Sequence, residues 1–302
     1  MKRFLPLFLV AAGVAVPASA QIVDRVIGHT TPGQVYVNYG YGQIKEVYDE
    51  DGKAEDAGSE AVLQRAAIGG SYNVAQAGDL GVFVGAELAM ASAKAEAGST
   101  TYESGFKPQM LGLGVGVRGS SYRFGVAYQY DLGNEPELST SGYTPSNSDQ
   151  SDAVVFGAEV YSPFSGVTIT AGANYYLTLK QDHSFFTGAS VADAKVDPSD
   201  YLDVHVGAGY RVADVVELGL QARYLKSFDG EATLGSTTVT FEDAGYAIGL
   251  VPYLTLSPEF VPAQITLSAS ATREYTPYGL TLAGKNLPVG RFGFTVGARF
   301  GF

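Results

Sequence analysis

Apolar residues recur at every second position along most of the chain. In QVYVNYGYGQ, Val35, Val37, Tyr39 and Tyr41 share one face, while Tyr36, Asn38, Gly40 and Gly42 share the other. VTITAGANYYLTL repeats this, with Val167, Ile169, Ala171, Ala173, Tyr175, Leu177 and Leu179 set against Thr168, Thr170, Gly172, Asn174, Tyr176 and Thr178. So does YLDVHVGAGYRV, with Leu202, Val204, Val206, Ala208, Tyr210 and Val212 opposite Asp203, His205, Gly207, Gly209 and Arg211. A period of two places successive side chains on opposite faces of a strand. The pattern predicts twelve strands: Gly33–Lys45, Ala61–Ala75, Leu80–Ala95, Pro108–Gly119, Tyr122–Gly133, Ala153–Ser162, Val167–Lys180, Tyr201–Val212, Val216–Phe228, Gly245–Leu256, Ala263–Thr276 and Gly290–Phe302. No long segment holds a 3.6-residue period, and after the first twenty residues no run approaches the ~20 apolar residues of a membrane helix.

The same periodicity disposes of a motif. GLGVGVRG contains Gly114-x-Gly116-x-x-Gly119, the dinucleotide-binding spacing. That fingerprint must open a helix, yet the alternating stretch YRFGVAYQY follows after a tight turn. Gly112, Gly114 and Gly116 therefore share one face of a strand opposite Leu111, Leu113, Val115 and Val117.

The connections alternate in length. Short turns (GSSY, SPFSG, RVADVV) follow even-numbered strands; long polar segments (EVYDEDGKAEDAGSE, NEPELSTSGYTPSNSDQSD, KQDHSFFTGASVADAKVDPSD) follow odd ones. A soluble sandwich also alternates, but it has no reason to gather every long loop at one end. An even number of ~10-residue strands with short turns at one end and long loops at the other is the layout of a transmembrane β-barrel. In hydrocarbon every backbone polar group needs an internal partner, so strands span only as a closed barrel. The predicted fold is all-β: a single closed antiparallel barrel of about twelve strands, with short periplasmic turns and long extracellular loops. Tyr39, Tyr41, Tyr72, Tyr122, Tyr128, Tyr130, Tyr175, Tyr210 and Tyr224 fall on the lipid-facing parity, many near strand ends, where a ring with a polar tip suits the headgroup level.

Composition adds a compartment. MKRFLPLFLVAAGVAVPASA has basic Lys2 and Arg3, an apolar run and Ala18-Ser19-Ala20, the arrangement of a cleaved secretory signal rather than of a membrane anchor, for which the run is short. The expected organisation is a signal peptide over 1–20, a periplasmic segment over 21–32 and the barrel over 33–302. The 302 residues include no Cys and no Trp, so no disulfide staples the chain and Tyr serves alone at the interfaces. The net charge of -12 concentrates in the long loops, where it would repel anions and gather cations.

The last residues, TVGARFGF, place Thr295, Gly297, Phe300 and the terminal Phe302 in a polar, glycine, aromatic, aromatic pattern. This resembles the C-terminal assembly signal of Gram-negative outer-membrane β-barrel proteins of porin-like type. The resemblance implies a final strand read by the barrel assembly machinery, location in the bacterial outer membrane, and contact with its lipid and lipopolysaccharide.

Inward parity selects a two-signed set: Arg65, Glu87, Arg118, Arg123, Asp131, Glu159, Lys180, Asp203, His205, Arg211, Glu217, Arg223 and Arg299, joined by Tyr176. Register across RVADVV sets Arg211 opposite Glu217 as a cross-strand ion pair, and Arg223 beside His205. GVRGSSYRF sets Arg118 beside Arg123, like charges that need an acid; Glu159 or a passing anion would serve. Many inward positions are glycine, which favours an open lumen, and about twelve strands stand between the ~8 that fill their own interior and the ~16 that leave a channel.

No constellation points to catalysis. His29 precedes the first strand, His205 faces the lumen, and His183 in KQDHSFF has only sequence neighbours, which is not a hydrogen-bonded partner. DEDG lacks the spaced ligands of a calcium loop, so neither metal nor cofactor is expected, nor is nucleic acid. The expected function is a porin-like channel passing small solutes through a narrow charged lumen. The alternative is a closed barrel whose extracellular loops carry a structural or surface-binding role.

Overall fold

The computed structural model describes residues 32–48, 54–97, 100–133, 137–139, 142–144, 152–186, 191–197, 199–234, 236–241, 245–258, 261–275, 281–282, 285–286 and 289–302. The expected signal peptide, most of the expected periplasmic segment and His29 lie outside them. Twelve long strands form the wall: β1 (Gly33–Tyr48), β2 (Ala54–Ala77), β3 (Leu80–Ala97), β4 (Lys107–Arg118), β5 (Tyr122–Asp131), β6 (Ala153–Phe164), β7 (Val167–Thr178), β8 (Tyr201–Ala213), β9 (Val216–Ser227), β10 (Tyr246–Leu256), β11 (Ala263–Tyr275) and β12 (Val289–Gly301). Each pairs antiparallel with the next, and β12 pairs with β1, so the meander closes and the sheet has no free edge. The seam is held at its end by Gly33 and Phe302, whose N–H groups each donate to the other's carbonyl at 3.1 Å.

Register shows the tilt. A row of paired residues leaving Gly33 at the start of β1 passes through Tyr72, Val84, Val115, Val126, Phe156, Tyr175, Leu202, Lys226 and Tyr246 to Tyr275 at the far end of β11. A row perpendicular to the strands therefore climbs from one rim to the other within one circuit, as strands inclined by ~35–45° require.

The turns expected at the periplasmic end are short: Gly78–Asp79, Ser165–Gly166 and Asp214–Val215 among them. Ser165 and Gly166 both have positive φ (49° and 81°), the two-residue geometry whose twist matches the flanking strands. At the other end the long connections are not plain loops. β1 and β2 extend well into EVYDEDGKAEDAGSE, and the segments after β7 and β9 carry strands Gln181–Phe186, Val191–Asp197, Gly230–Leu234 and Thr237–Phe241, which pair into a four-stranded extracellular sheet. Polar composition hid these strands, because a sheet outside the membrane has no apolar face to declare. His183 lies on the first of them, paired with Ala194.

The extracellular rim is tied by a repeated device. Asp152, just before β6, accepts the Tyr128 hydroxyl at 2.5 Å and the Asp131 N–H at 2.8 Å. Asp200, just before β8, accepts the Tyr175 hydroxyl at 2.7 Å, the Thr178 N–H at 2.9 Å and its Oγ1 at 3.1 Å. Each carboxylate thus satisfies a late backbone donor of one strand and anchors an outward tyrosine. Asp152→Ala and Asp200→Ala should each cost ~1–2 kcal/mol, read as a lowered urea midpoint in lipid vesicles. Amide exchange should accelerate at Asp131 in the first variant and at Thr178 in the second; exchange rates unchanged from wild type would count against the device.

Candidate functional site

The molecule is inside-out relative to a soluble protein. Val160, Val206, Leu113 and Phe294 are exposed on the outer wall, whereas Arg65, Glu87, Arg123, Glu159, Asp203 and His205 are buried within. Among the described residues, three ionic clusters line the inner wall. Glu87, 1% exposed, lies 3.4 Å from Arg65 Nη2 and accepts the Tyr36 hydroxyl at 2.9 Å. Glu159 holds Arg123 Nη2 at 2.8 Å with one oxygen and faces His205 Nε2 at 3.1 Å with the other. Asp203 takes Arg223 Nη2 at 2.5 Å and Nε at 3.4 Å, a two-point grip.

Glycines make these clusters possible. Tyr36 and Glu87 stand on β1 and β3, and the residue between them on β2 is Gly69. A Cβ on Gly69 would strike the Tyr36 hydroxyl, so the ring can lie across β2 only because that carbon is missing. His205 reaches Glu159 from β8 to β6 in the same way over Gly172 of β7, where a Cβ would come within 2.6 Å of the imidazole. Tyr253 lies over Gly219 and donates to Glu217 at 3.2 Å. At Gly69, Gly172 and Gly219 the expectation that inward glycines leave the lumen open is therefore corrected: these are gaps that neighbouring side chains lie across, whereas at Gly40, opposite Thr295, a Cβ would meet nothing nearer than 3.5 Å.

The register expected across RVADVV holds, with Arg211 opposite Glu217 and His205 opposite Arg223. The partnerships do not. Arg211 is exposed near the turn, and among the described residues it forms no ion pair with Glu217. Arg223 turns to Asp203 rather than His205, because the carboxylate lies within reach on the same neighbouring strand. Arg118 and Arg123 are paired positions, and Glu159 takes Arg123 while Arg118 Nε meets the Tyr161 hydroxyl at 3.5 Å. Tyr161 in turn donates to the Gly119 carbonyl at 2.6 Å. Tyr176 is fully buried and stacks on Tyr201, ring centroids 4.1 Å apart. Arg299 stands opposite Tyr36 and Gln264. In the terminal motif Thr295 and Gly297 face in, while Phe300 and Phe302 are exposed on the outside.

Period-two reading misses Gln109. Between Ala89 and Met90 the register slips, so that Gln109 and Met110 are both buried, each 1% exposed. Such a bulge breaks the alternation on which the reading depends; Pro108, a residue that sheets tolerate chiefly at edges and bulges, is the available signal. Buried Gln129 and Asn174 carry no charge, so inward parity alone does not single them out.

The two halves of the lumen differ. On β5 and β8 the inward residues are nearly all buried and the outward ones exposed. On β12, Phe294, Thr295 and Val296 are all exposed. Consecutive strand residues point to opposite faces, so both sides of the sheet are open there. Around Thr295 the inward residues are Ser268, Ser270, Thr266, Thr272 and Thr255, all half-buried, with the Thr255 and Thr266 hydroxyls 3.1 Å apart. One wall is thus packed and ionic; the other, between the inward Arg291 and Arg299 of β12, is hydroxyl-lined and accessible.

No protein-family model matches the chain, and no curated protein matches it in sequence. Among solved structures it resembles an outer membrane channel from Pseudomonas putida F1, with a TM-score of 0.65 at 11% identity over 92% of this chain and 98% of that one. It also resembles the transport unit of the autotransporter AIDA-I from Escherichia coli, with a TM-score of 0.51 at 8% identity over 99% and 98% of the two chains. At these identities the likeness is one of fold: the chain is a barrel of the outer-membrane type, a scaffold that is a channel in one of those proteins and a transport unit in the other.

Proposed function

We propose that the protein is an outer-membrane channel through which small solutes diffuse, with no chemistry performed on them. The passage runs along the hydroxyl-lined wall of β10 to β12, opposite the ionic wall of β2 to β9. The observation that carries this reading is the exposure of inward Thr295 between Phe294 and Val296, which point outward and are exposed as well. Because the acids Glu87, Glu159 and Asp203 already hold cations, the charges in the ionic wall shape the lumen more than they attract free ions. Hydroxyls that exchange hydrogen bonds with water and solute at little cost suit small polar solutes.

Planar-bilayer recording of the refolded protein tests it. Discrete conductance steps are expected, and Thr295→Tyr should reduce the step roughly twofold or more by narrowing the passage, while Val160→Tyr, on the outer wall, leaves it unchanged. A wild-type protein with no conductance and no solute entry into liposomes would sink the channel reading. It would instead favour a closed barrel acting at the cell surface, a role to which the extracellular four-stranded sheet lends itself.

A further inference from the structure

Tyr253 is laid against the inner wall. It stands on β10 in a row of paired inward residues that runs Gly209, Gly219, Tyr253, Ser268, Thr295, Gly40, from β8 across to β1. A Cβ on Gly219 would strike the ring, and a Cβ on Gly209 would strike the hydroxyl, so the side chain lies back over two neighbouring strands. Glu217 accepts the hydroxyl at 3.2 Å and fixes that end. One face of the ring therefore rests on backbone and the other is turned to the lumen. Inward Tyr36 and Tyr176 are buried, and their rings meet protein; Tyr253 is only half-buried.

In the other direction the row leads onto uncharged polar side chains. Five successive inward positions of β11 are Gln264, Thr266, Ser268, Ser270 and Thr272, each half-buried or exposed. They extend roughly 27 Å along the strand, at ~3.4 Å per residue. Cations stand beside the two ends, Arg299 opposite Gln264 and Arg291 opposite Thr272, and neither is without a partner in the protein. The stretch between those ends offers hydroxyls alone.

We propose that Tyr253, Ser268 and Thr295 form a binding subsite for a neutral sugar of disaccharide size, an inference that rests on the channel reading and names its substrate class. A sugar ring presents a face of C–H bonds, whose slight positive charge suits the negative face of an aromatic ring. Its edge carries hydroxyls that donate and accept, as those of serine and threonine do. Gly219, under the Tyr253 ring, and Thr295 stand three strand spacings apart, roughly 14 Å. One sugar unit can stack on the ring while the next reaches Ser268 and Thr295. An acidic sugar fits less well, because Glu217 would repel its carboxylate at the stacking position. The net charge of -12 would repel it on approach.

The test is block of the ion current through the refolded protein in planar bilayers, with maltose, maltobionate and a polyethylene glycol of the same size as probes. Maltose should lower the current saturably, at about tenfold lower concentration than maltobionate, and by more than the polyethylene glycol does. Tyr253→Leu should raise the half-blocking maltose concentration about tenfold, whereas Tyr253→Phe, which keeps the ring face, stays within about threefold of wild type. A conducting protein that maltose blocks no better than polyethylene glycol overturns the proposal and leaves the channel reading standing; a protein without conductance removes both. Block by maltobionate equal to that by maltose overturns it too, since the arginines rather than the ring would then hold the solute. So does unchanged block in a Tyr253→Leu variant whose heat-modifiable gel migration shows it to be folded.

Discussion

Glu159→Ala is expected to lower the stability of the barrel by ~3–5 kcal/mol, the cost of removing the carboxylate from a buried ion pair and leaving its cation behind. Glu159 is the shared anion of Arg123, at 2.8 Å, and His205, at 3.1 Å, and both partners are 5% exposed. Arg118, at the position opposite Arg123, brings a second positive charge rather than a substitute anion. Urea unfolding in lipid vesicles measures the effect. Glu159→Gln keeps the shape and one acceptor while removing the charge, so its loss should be smaller but of the same sign. A midpoint shared by wild type and Glu159→Ala would show that the cluster contributes no net stability.

Gly69→Ala is expected to cost ~2–5 kcal/mol, combining overpacking with the loss of a buried hydrogen bond. The added carbon would meet the Tyr36 ring, and the Ala86 carbonyl oxygen would lie only 2.6 Å away. Tyr36 must then leave its place over β2, and Glu87 loses the hydroxyl held at 2.9 Å. Tyr36→Phe isolates the hydroxyl and should cost less. Pairing Gly69→Ala with Tyr36→Ala should recover part of the overpacking, a non-additivity expected of residues in contact. Strict additivity of the two changes would mean that the ring does not need the gap.

The barrel could be read from the chain because its determinants are local. Alternation in YRFGVAYQY or YLDVHVGAGYRV assigns each side chain to lipid or lumen from its parity alone, and β5 and β8 show that alternation residue by residue. It fails where a local irregularity resets the parity, as at Gln109, and where the solvent is water on both faces, as in the extracellular sheet. The site was less legible. Adjacent-strand register places Arg211 opposite Glu217 and Arg223 opposite His205 correctly, yet the bonds that form run diagonally to Asp203 or across an intervening glycine to Glu159.

By itself, then, the sequence determined the closed antiparallel barrel, the lipid-facing set, the rim that carries the long connections and the inward position of most charges. Pleat and turn length act over a few residues, so these features need no knowledge of the rest of the chain. Only the tertiary structure decided which acid holds which base, that Gly69, Gly172 and Gly219 serve as crossings rather than open space, and that the accessible wall is the one around Thr295. Those outcomes depend on strand tilt and on side chains reaching over a neighbouring strand, which are properties of the closed sheet and of no single segment.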